Sequence, residues 1–262
     1  MGSPKRKIQA RWLIFQKDNL LLKIPKNTLL GDRESALIAP HFLRWFKLGC
    51  FNNIVYYCAE IGTDTLLPTT LHRFPLRQAL GLFGDEAYGL VVKAWSVINW
   101  DKNHQFCSRC GCKTEHQPKA YERLCPSCGL SFFPRLSPSI IVRIKKDDHI
   151  LMARGPHFPP GAYGLIAGFV DVGESVEEAV KREVSEEVGL QIKNLLYWGS
   201  QPWPFPDSLM LAFTADYASG EIIMDPDEIE NAGWYKSDNL PGLPSTALSI
   251  AMKLINDFVR GG

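Results

Sequence analysis

Residues 168–190 read Gly168-Phe169-Val170-Asp171-Val172-Gly173-Glu174-Ser175-Val176-Glu177-Glu178-Ala179-Val180-Lys181-Arg182-Glu183-Val184-Ser185-Glu186-Glu187-Val188-Gly189-Leu190. The middle of this stretch predicts a helix over 176–188. Ser175 stands at the N-cap with Glu178 three residues on, a capping box in which side chains and backbone satisfy each other's open donors. Gly189 falls where a helix ends in the left-handed conformation. Glu183, Glu186 and Glu187 stand at i, i+3 and i+4, so their carboxylates share one helical face. Like charges this close repel, and a surface helix gains nothing from them unless a cation neutralises the group. Hard oxygen ligands on a rigid helix suit Mg²⁺ or Mn²⁺, which keep several waters and take up phosphates. Such ions offset phosphate charge, polarise the attacked P–O bond and activate water. Glu174 precedes the helix, placed to tie the loop to Arg182, and Gly168, Gly173 and Gly189 suit tight backbone around the helix ends. The competing reading of the glutamates alone is a solvated acidic face.

Outward from this helix, residues 136–262 alternate strands and helices. Residues 139–144 and 149–154 predict a hairpin, 163–170 an apolar run, 195–200 and 209–217 strands, and 247–259 a last helix. Residues 1–100 are mixed, with strand-like runs at 11–15 and 53–58 separated by turn signals at Gly31-Asp32 and Gly62-Thr63-Asp64. A helical pattern near 85–100 sets Tyr88, Val91, Val92, Trp95, Val97 and Ile98 toward one side. These first hundred residues carry no chemical motif.

Between them, residues 101–135 hold Cys107-Ser108-Arg109-Cys110 and Cys125-Pro126-Ser127-Cys128, two C-x-x-C knuckles. Four sulfurs in tetrahedral geometry favour zinc and leave no position open for water, so the expected ion is structural. In so small a unit, binding contributes on the order of 10 kcal/mol to folding. Cys112, His104 and His116 lie nearby, but the four sulfurs already fill the shell. Seven cysteines, four of them paired this way, speak for metal rather than disulfides and for a reducing, cytoplasmic address. Cys50 and Cys58 lie in apolar sequence and read as small hydrophobes.

Composition narrows the function classes. A net charge of +1 over 262 residues gives no global field that recruits a polyanion, so a nucleic-acid partner needs a local patch. The ribbon is only mildly basic, which leaves open a zinc-ribbon nucleic-acid-binding protein with a silent hydrolase domain. The most apolar early stretch, 42–61, is broken by Arg44, Lys47 and Glu60, so no membrane span is expected. The basic cluster at residues 1–7 lacks a following apolar region and does not read as a secretory signal.

The complete pattern from Gly168 to Leu190, G-x5-E-x7-R-E-U-x-E-E-x-G-U with U apolar, resembles the Nudix box. The resemblance implies an α+β chain whose catalytic domain is a Nudix-type α/β/α sandwich. It implies Glu183, Glu187 and Glu186 as ligands of Mg²⁺ or Mn²⁺, joined by the carbonyl of Ala167. Downstream, Ser200-Gln201-Pro202-Trp203-Pro204-Phe205-Pro206-Asp207-Ser208 follows the box. Alternating prolines predict an extended, stiff segment from which Trp203 and Phe205 project as platforms for a base or nicotinamide ring. This S-Q-P-W-P-F-P-x-S stretch, with a four-cysteine ribbon before the catalytic domain, resembles the NADH pyrophosphatase subfamily. The expected organisation is a mixed α/β domain over 1–100, a zinc ribbon over 101–135 and a catalytic domain over 136–262.

That resemblance implies hydrolysis of NADH, and less readily NAD⁺, to nicotinamide mononucleotide and AMP, by a homodimer. Some relatives remove NAD caps from RNA. Another Nudix activity, on ADP-ribose or dinucleoside polyphosphates, is the near alternative. Glu228 in Asp225-Pro226-Asp227-Glu228 matches the position of a further metal-binding carboxylate. The substrate contacts implied are Gln201 through Ser208, with Phe133 (where relatives often have tyrosine), Ala251 and Arg77. Phenylalanine at 133 keeps the stacking surface and loses the hydroxyl.

Overall fold

The computed structural model describes residues 9–243 and 248–261, and the chain divides into two units, Met1–Arg135 and Leu136–Gly262. The basic cluster at 1–7 and Ala247, the expected start of the last helix, lie outside the described residues.

In the first unit the elements are β1 (Gln9–Gln16), β2 (Asn19–Lys23), α1 (Asp32–Ile38), β3 (Phe42–Phe51), β4 (Ile54–Ile61), β5 (Leu71–Pro75), α2 (Leu76–Ala79) and α3 (Gly84–Asn103). Three two-residue strands follow: β6 (Glu115–His116), β7 (Arg123–Leu124) and β8 (Ser131–Phe132). The five long strands form one sheet in the order β3-β4-β1-β2-β5, with β1 and β4 parallel. α3 buries Tyr88, Val91, Val92, Trp95, Val97 and Ile98, the side that its spacing predicts. Two of the three charges interrupting 42–61 pair across the strands. Arg44 on β3 lies opposite Glu60 on β4, guanidinium to carboxylate at 2.5 Å. Asn52 and Asn53, at φ 49° and 61°, turn the chain between the two strands, a conformation asparagine tolerates. Among the described residues no helix is long and apolar enough to cross a membrane.

The second unit comprises β9 (Ser137–Lys146), β10 (His149–Arg154), β11 (Ile166–Phe169), α4 (Val176–Val188), β12 (Gln191–Trp203), β13 (Ser208–Ser219), β14 (Asn231–Lys236) and α5 (Ile250–Val259). Its sheet runs β12-β13-β9-β10-β14, with β11 also on β9. Side chains alternate across a strand, and this alternation assigns each residue to a layer. Ile140, Val142 and Ile144 of β9, Leu151 and Ala153 of β10, and Phe213 and Ala215 of β13 pack with Ala179, Val180, Val184 and Val188 of α4. The intervening Ile141, Ile150, Met152 and Ala212 pack with Ile250, Leu254, Ile255 and Phe258 of α5. The sheet is therefore apolar on both faces and covered by a helix on each, the α/β/α sandwich that the resemblance implies. The central β9 pairs in parallel with β13 and antiparallel with β10 and β11.

Candidate active site

α4 is built as its sequence dictates. The Ser175 amide donates to Glu178 Oε2 at 2.8 Å, and the Glu178 amide donates back to Ser175 Oγ at 3.3 Å. At the other end Gly189 adopts φ 70°. The helix buries Ala179, Val180, Val184 and Val188 against the sheet, which turns the flanking Glu183 and Glu187 inward along its edge. Both carboxylate residues are nearly buried, at 8% and 7% exposure.

Gly168 on β11 explains how Glu183 is accommodated. A Cβ at that position would collide with the Glu183 carboxylate, so only glycine leaves it room. The Gly168 carbonyl accepts from the Ser139 hydroxyl at 2.8 Å, which ties this strand to β9. Ala167 lies one residue before, exposed on the same strand.

Glu228 comes from the loop after β13, and backbone bonds to the end of α4 hold that loop in place. The Ile223 amide donates to Val188 O and the Asp225 amide to Glu187 O, both at 3.0 Å. These are carbonyls a helix end leaves unpartnered. Asp225 then folds the turn, its carboxylate accepting from the Asp227 amide at 2.9 Å. The result is one group: carboxylate oxygens of Glu183, Glu187 and Glu228 lie within 4.8 Å of one another.

Glu186 points elsewhere. It is exposed and accepts from Arg182 at 3.0 Å. Arg182 organises the entrance to the group, donating to both Glu174 oxygens at 3.0 and 2.6 Å, to Glu183 at 3.0 Å and to the Phe169 carbonyl at 2.9 Å. These partners raise the Arg182 pKa still further, and Arg182 in turn holds Glu174 below the usual carboxylate range.

Electrostatics set the remaining two carboxylates apart. Burial, then the charges of Glu183, Glu228, Asp225 and Glu186, push Glu187 up to about 8. Burial also raises Glu183, with Arg182 opposing and Glu228 and Glu186 adding to the rise. Arg182 reaches only the Glu183 side of the group; the buried Glu183 and Glu187 with the exposed Glu228 are the donor set of a hard divalent cation, which would let the buried pair ionise. Sequence reasoning missed the part played by Asp225, whose only signal was its place in an acidic turn.

The proline-aromatic segment is not an extended arm. Trp203 pairs with Ser208 across β12 and β13, and Pro204–Asp207 is the turn that joins them. Pairing of the two strands demands a reversal there, and that overrides the extended tendency of alternating prolines. Trp203 and Phe205 meet edge to face, ring centroids 5.5 Å apart. Pro204 and Ser208 are buried, Pro202 and Pro206 exposed. The Asp207 carboxylate accepts from the Ser137 hydroxyl at 2.9 Å, anchoring the turn to the start of β9. Gln201 is buried and bonds to Leu248 and Ile250, next to Ala251 in the first turn of α5. Phe133 and Arg77 belong to the first unit and are exposed there.

In that unit the two knuckles are copies of one another. The Cys107 amide donates to Cys112 O and the Gly111 amide to Cys107 O; the Cys125 amide donates to Leu130 O and the Gly129 amide to Cys125 O. Each knuckle ends in a glycine in the left-handed region, Gly111 at φ 74° and Gly129 at φ 73°. Sγ of Cys107 lies 3.6 Å from that of Cys128, and Cys110 3.5 Å from Cys125. A zinc tetrahedron with bonds of about 2.3 Å has edges of roughly 3.8 Å, so these sulfurs fit a structural zinc ion. Against burial, the amides of Cys110 and Arg109 draw the Cys107 thiol below its ordinary range, while, against the Leu130 amide, burial and the other sulfurs hold Cys128 above it, so the close-set thiols give up their protons unevenly.

Residues 134–257 match the NUDIX domain, and residues 102–133 match the NADH pyrophosphatase zinc ribbon domain. A Pseudomonas aeruginosa (strain LESB58) protein named NAD-capped RNA hydrolase NudC is 44% identical over 252 residues, covering 96% of this chain and 86% of its own. Proteins of the same name from Stutzerimonas stutzeri and Chromobacterium violaceum are 47% and 38% identical, covering 81% and 96% of this chain and 76% and 92% of theirs. The likeness takes in the ribbon as well as the carboxylate helix, and by it the chain belongs to the NADH pyrophosphatase family of Nudix hydrolases.

Proposed function

We propose that this hydrolase cleaves the pyrophosphate bond of NADH, and of NAD⁺, to nicotinamide mononucleotide and AMP, and removes NAD caps from RNA. The observation that carries the reading is the group formed by Glu183, Glu187 and Glu228. The names of the relatives support the cap-removing activity. Mg²⁺ or Mn²⁺ held by these carboxylates, with the Ala167 carbonyl and Glu186 at the margin, would neutralise the pyrophosphate and activate water. Glu187, buried among the other carboxylates, is suited to hold the proton of the attacking water, and Glu228 is the second candidate. Arg182 keeps Glu183 and Glu186 oriented. Trp203 and Phe205 at the hairpin end offer flat faces to a ring of the substrate, with Gln201 through Ser208 and Ala251 shaping that end. Phe133 and Arg77 complete the proposed substrate contacts. The reading includes three domains (1–100, 101–135 and 136–262), a homodimer and a cytoplasmic location.

Product analysis tests it. The protein with NADH and Mn²⁺ or Mg²⁺ should yield AMP and reduced nicotinamide mononucleotide, and a chelator should abolish both. Turnover of ADP-ribose without turnover of NADH would refute the substrate assignment and keep the chemistry.

A further inference from the structure

Glu228 reaches the carboxylate group from a turn that is held at both ends. In front, the Ile223 and Asp225 amides bind it to the last carbonyls of α4. The Asp225 carbonyl then accepts from the Glu228 amide at 3.2 Å and from the Ile229 amide at 2.8 Å. Behind, the Glu230 amide donates to the Arg154 carbonyl at 2.9 Å, and the Arg154 guanidinium pairs with the Glu230 carboxylate. β14 begins at once, with Asn231 opposite Arg154 of β10. Between these anchors the Glu228 carbonyl lies against Gly155, the buried residue that follows β10.

Backbone conformation does not call for glycine at 155, since its φ is outside the left-handed region. Space does. A methyl group there would sit 3.1 Å from the Glu228 carbonyl oxygen and 3.0 Å from Cε1 of the His157 ring, closer than nearly all contacts such a carbon makes. The His157 side chain is exposed and can turn away. The Glu228 carbonyl is main chain in a turn held at both ends, and it yields only if the turn moves. We propose that Gly155 is a positioning residue for Glu228: the bare backbone at the end of β10 lets the turn close until the Glu228 carboxylate meets Glu183 and Glu187. Gly168 leaves room for a carboxylate, Gly155 for a main-chain carbonyl. This deepens the metal-site reading above and rests on Glu228 being a ligand. Gly155 acts only through the placement of that ligand.

The test reads the cation directly. Mn²⁺ is titrated calorimetrically into the substrate-free full chain, with zinc in the ribbon, for wild type, Gly155→Ala, Gly155→Val, Glu228→Gln and each Gly155 change combined with Glu228→Gln. Loss of a group that orients a metal ligand weakens binding roughly 10- to 100-fold. Gly155→Val should weaken Mn²⁺ binding about tenfold, and Gly155→Ala, which demands a shift of only a few tenths of an ångström, about threefold. In the Glu228→Gln background either change should add less than about twofold, because the ligand it displaces is already gone. Circular dichroism should stay native, and the alanine variants carry the test if valine unfolds the chain. Unchanged Mn²⁺ binding in both Gly155 variants, with Glu228→Gln weakened, would overturn the proposal. So would losses in the double variants equal to the product of the single ones. Glu228→Gln binding Mn²⁺ as wild type does would instead remove Glu228 from the ligand set, a different failure, and the proposal with it.

Discussion

Replacing Glu187 by glutamine should make the cation-free protein more stable at alkaline pH while abolishing turnover. Glu187 ionises only at about 8 in the folded chain, against an ordinary 4.5, because it is buried and faces other carboxylates. The sign follows from linkage. A group whose folded pKa lies above its unfolded value favours the fold below the unfolded pKa, and that contribution is lost as pH rises through the folded one. In chelator, wild type should therefore lose stability between about pH 4.5 and pH 8. Each tenfold change in acid dissociation corresponds to about 1.4 kcal/mol, which sets a ceiling near 5 kcal/mol; reorientation of the side chain brings the expectation to roughly 2–4 kcal/mol. At roughly 3 °C per kcal/mol for a domain of this size, Tm should fall about 6–12 °C more in wild type than in Glu187→Gln across that window. Thermal melts in chelator at pH 5 and pH 8.5 measure it, and Mg²⁺ or Mn²⁺ should restore wild type far more than the variant. Turnover should fall at least about a hundredfold. Parallel pH slopes in the two proteins would refute the reasoning, since the strain would then not reside at Glu187.

Three further outcomes follow from the geometry. Gly168→Ala sets a methyl group against the Glu183 carboxylate. It should lower kcat at least about tenfold, because small misplacements at a reacting centre are costly, while circular dichroism stays native. Arg182→Lys cannot reproduce bonds to Glu174, Glu183, Glu186 and Phe169 together, and should reduce kcat/KM and lower Tm by several degrees in thermal melts. Cys128→Ser removes one sulfur of the tetrahedral set, so bound zinc by atomic absorption should fall from about one ion per chain toward none, with the first unit destabilised.

Local signals made part of this legible in the sequence. The ends of α4 could be read because a capping box and a left-handed glycine act within a few residues. The knuckles could be read because each pair of sulfurs is held by its own tight turn. Elements that depend on distant partners were less visible. β14 carries Ala232-Gly233, weak strand formers, and exists by pairing with β10. β3 was obscured by Arg44 and Lys47, yet Arg44 has its counter-charge on the next strand. The turn at Pro204–Asp207 was misread as an extended arm because its reversal is imposed by β12 and β13. Gln201 was expected to touch substrate, and its engagement with α5 is a contact 47 and 49 residues away that no local pattern announces.

The carboxylate group also shows why the box reads so clearly. Glu183, Glu186 and Glu187 stand in the last two turns of α4, where the helix dipole is already negative and where basic residues are ordinarily favoured. Their charges repel one another, and burial raises Glu183 and Glu187 further. Arg182 relieves the outer part of this conflict through Glu186 and Glu183, but nothing basic donates to Glu187 among the described bonds. Three local rules are broken at one place: dipole, spacing of like charge, and burial of charge. Folding physics alone would not assemble such a site, because each departure costs stability and none improves packing. A divalent cation held there would offset all three at once. Glu183 and Glu187, which weaken the cation-free helix, would then serve as ligands, and the stability of the second unit would be linked to the ion they hold.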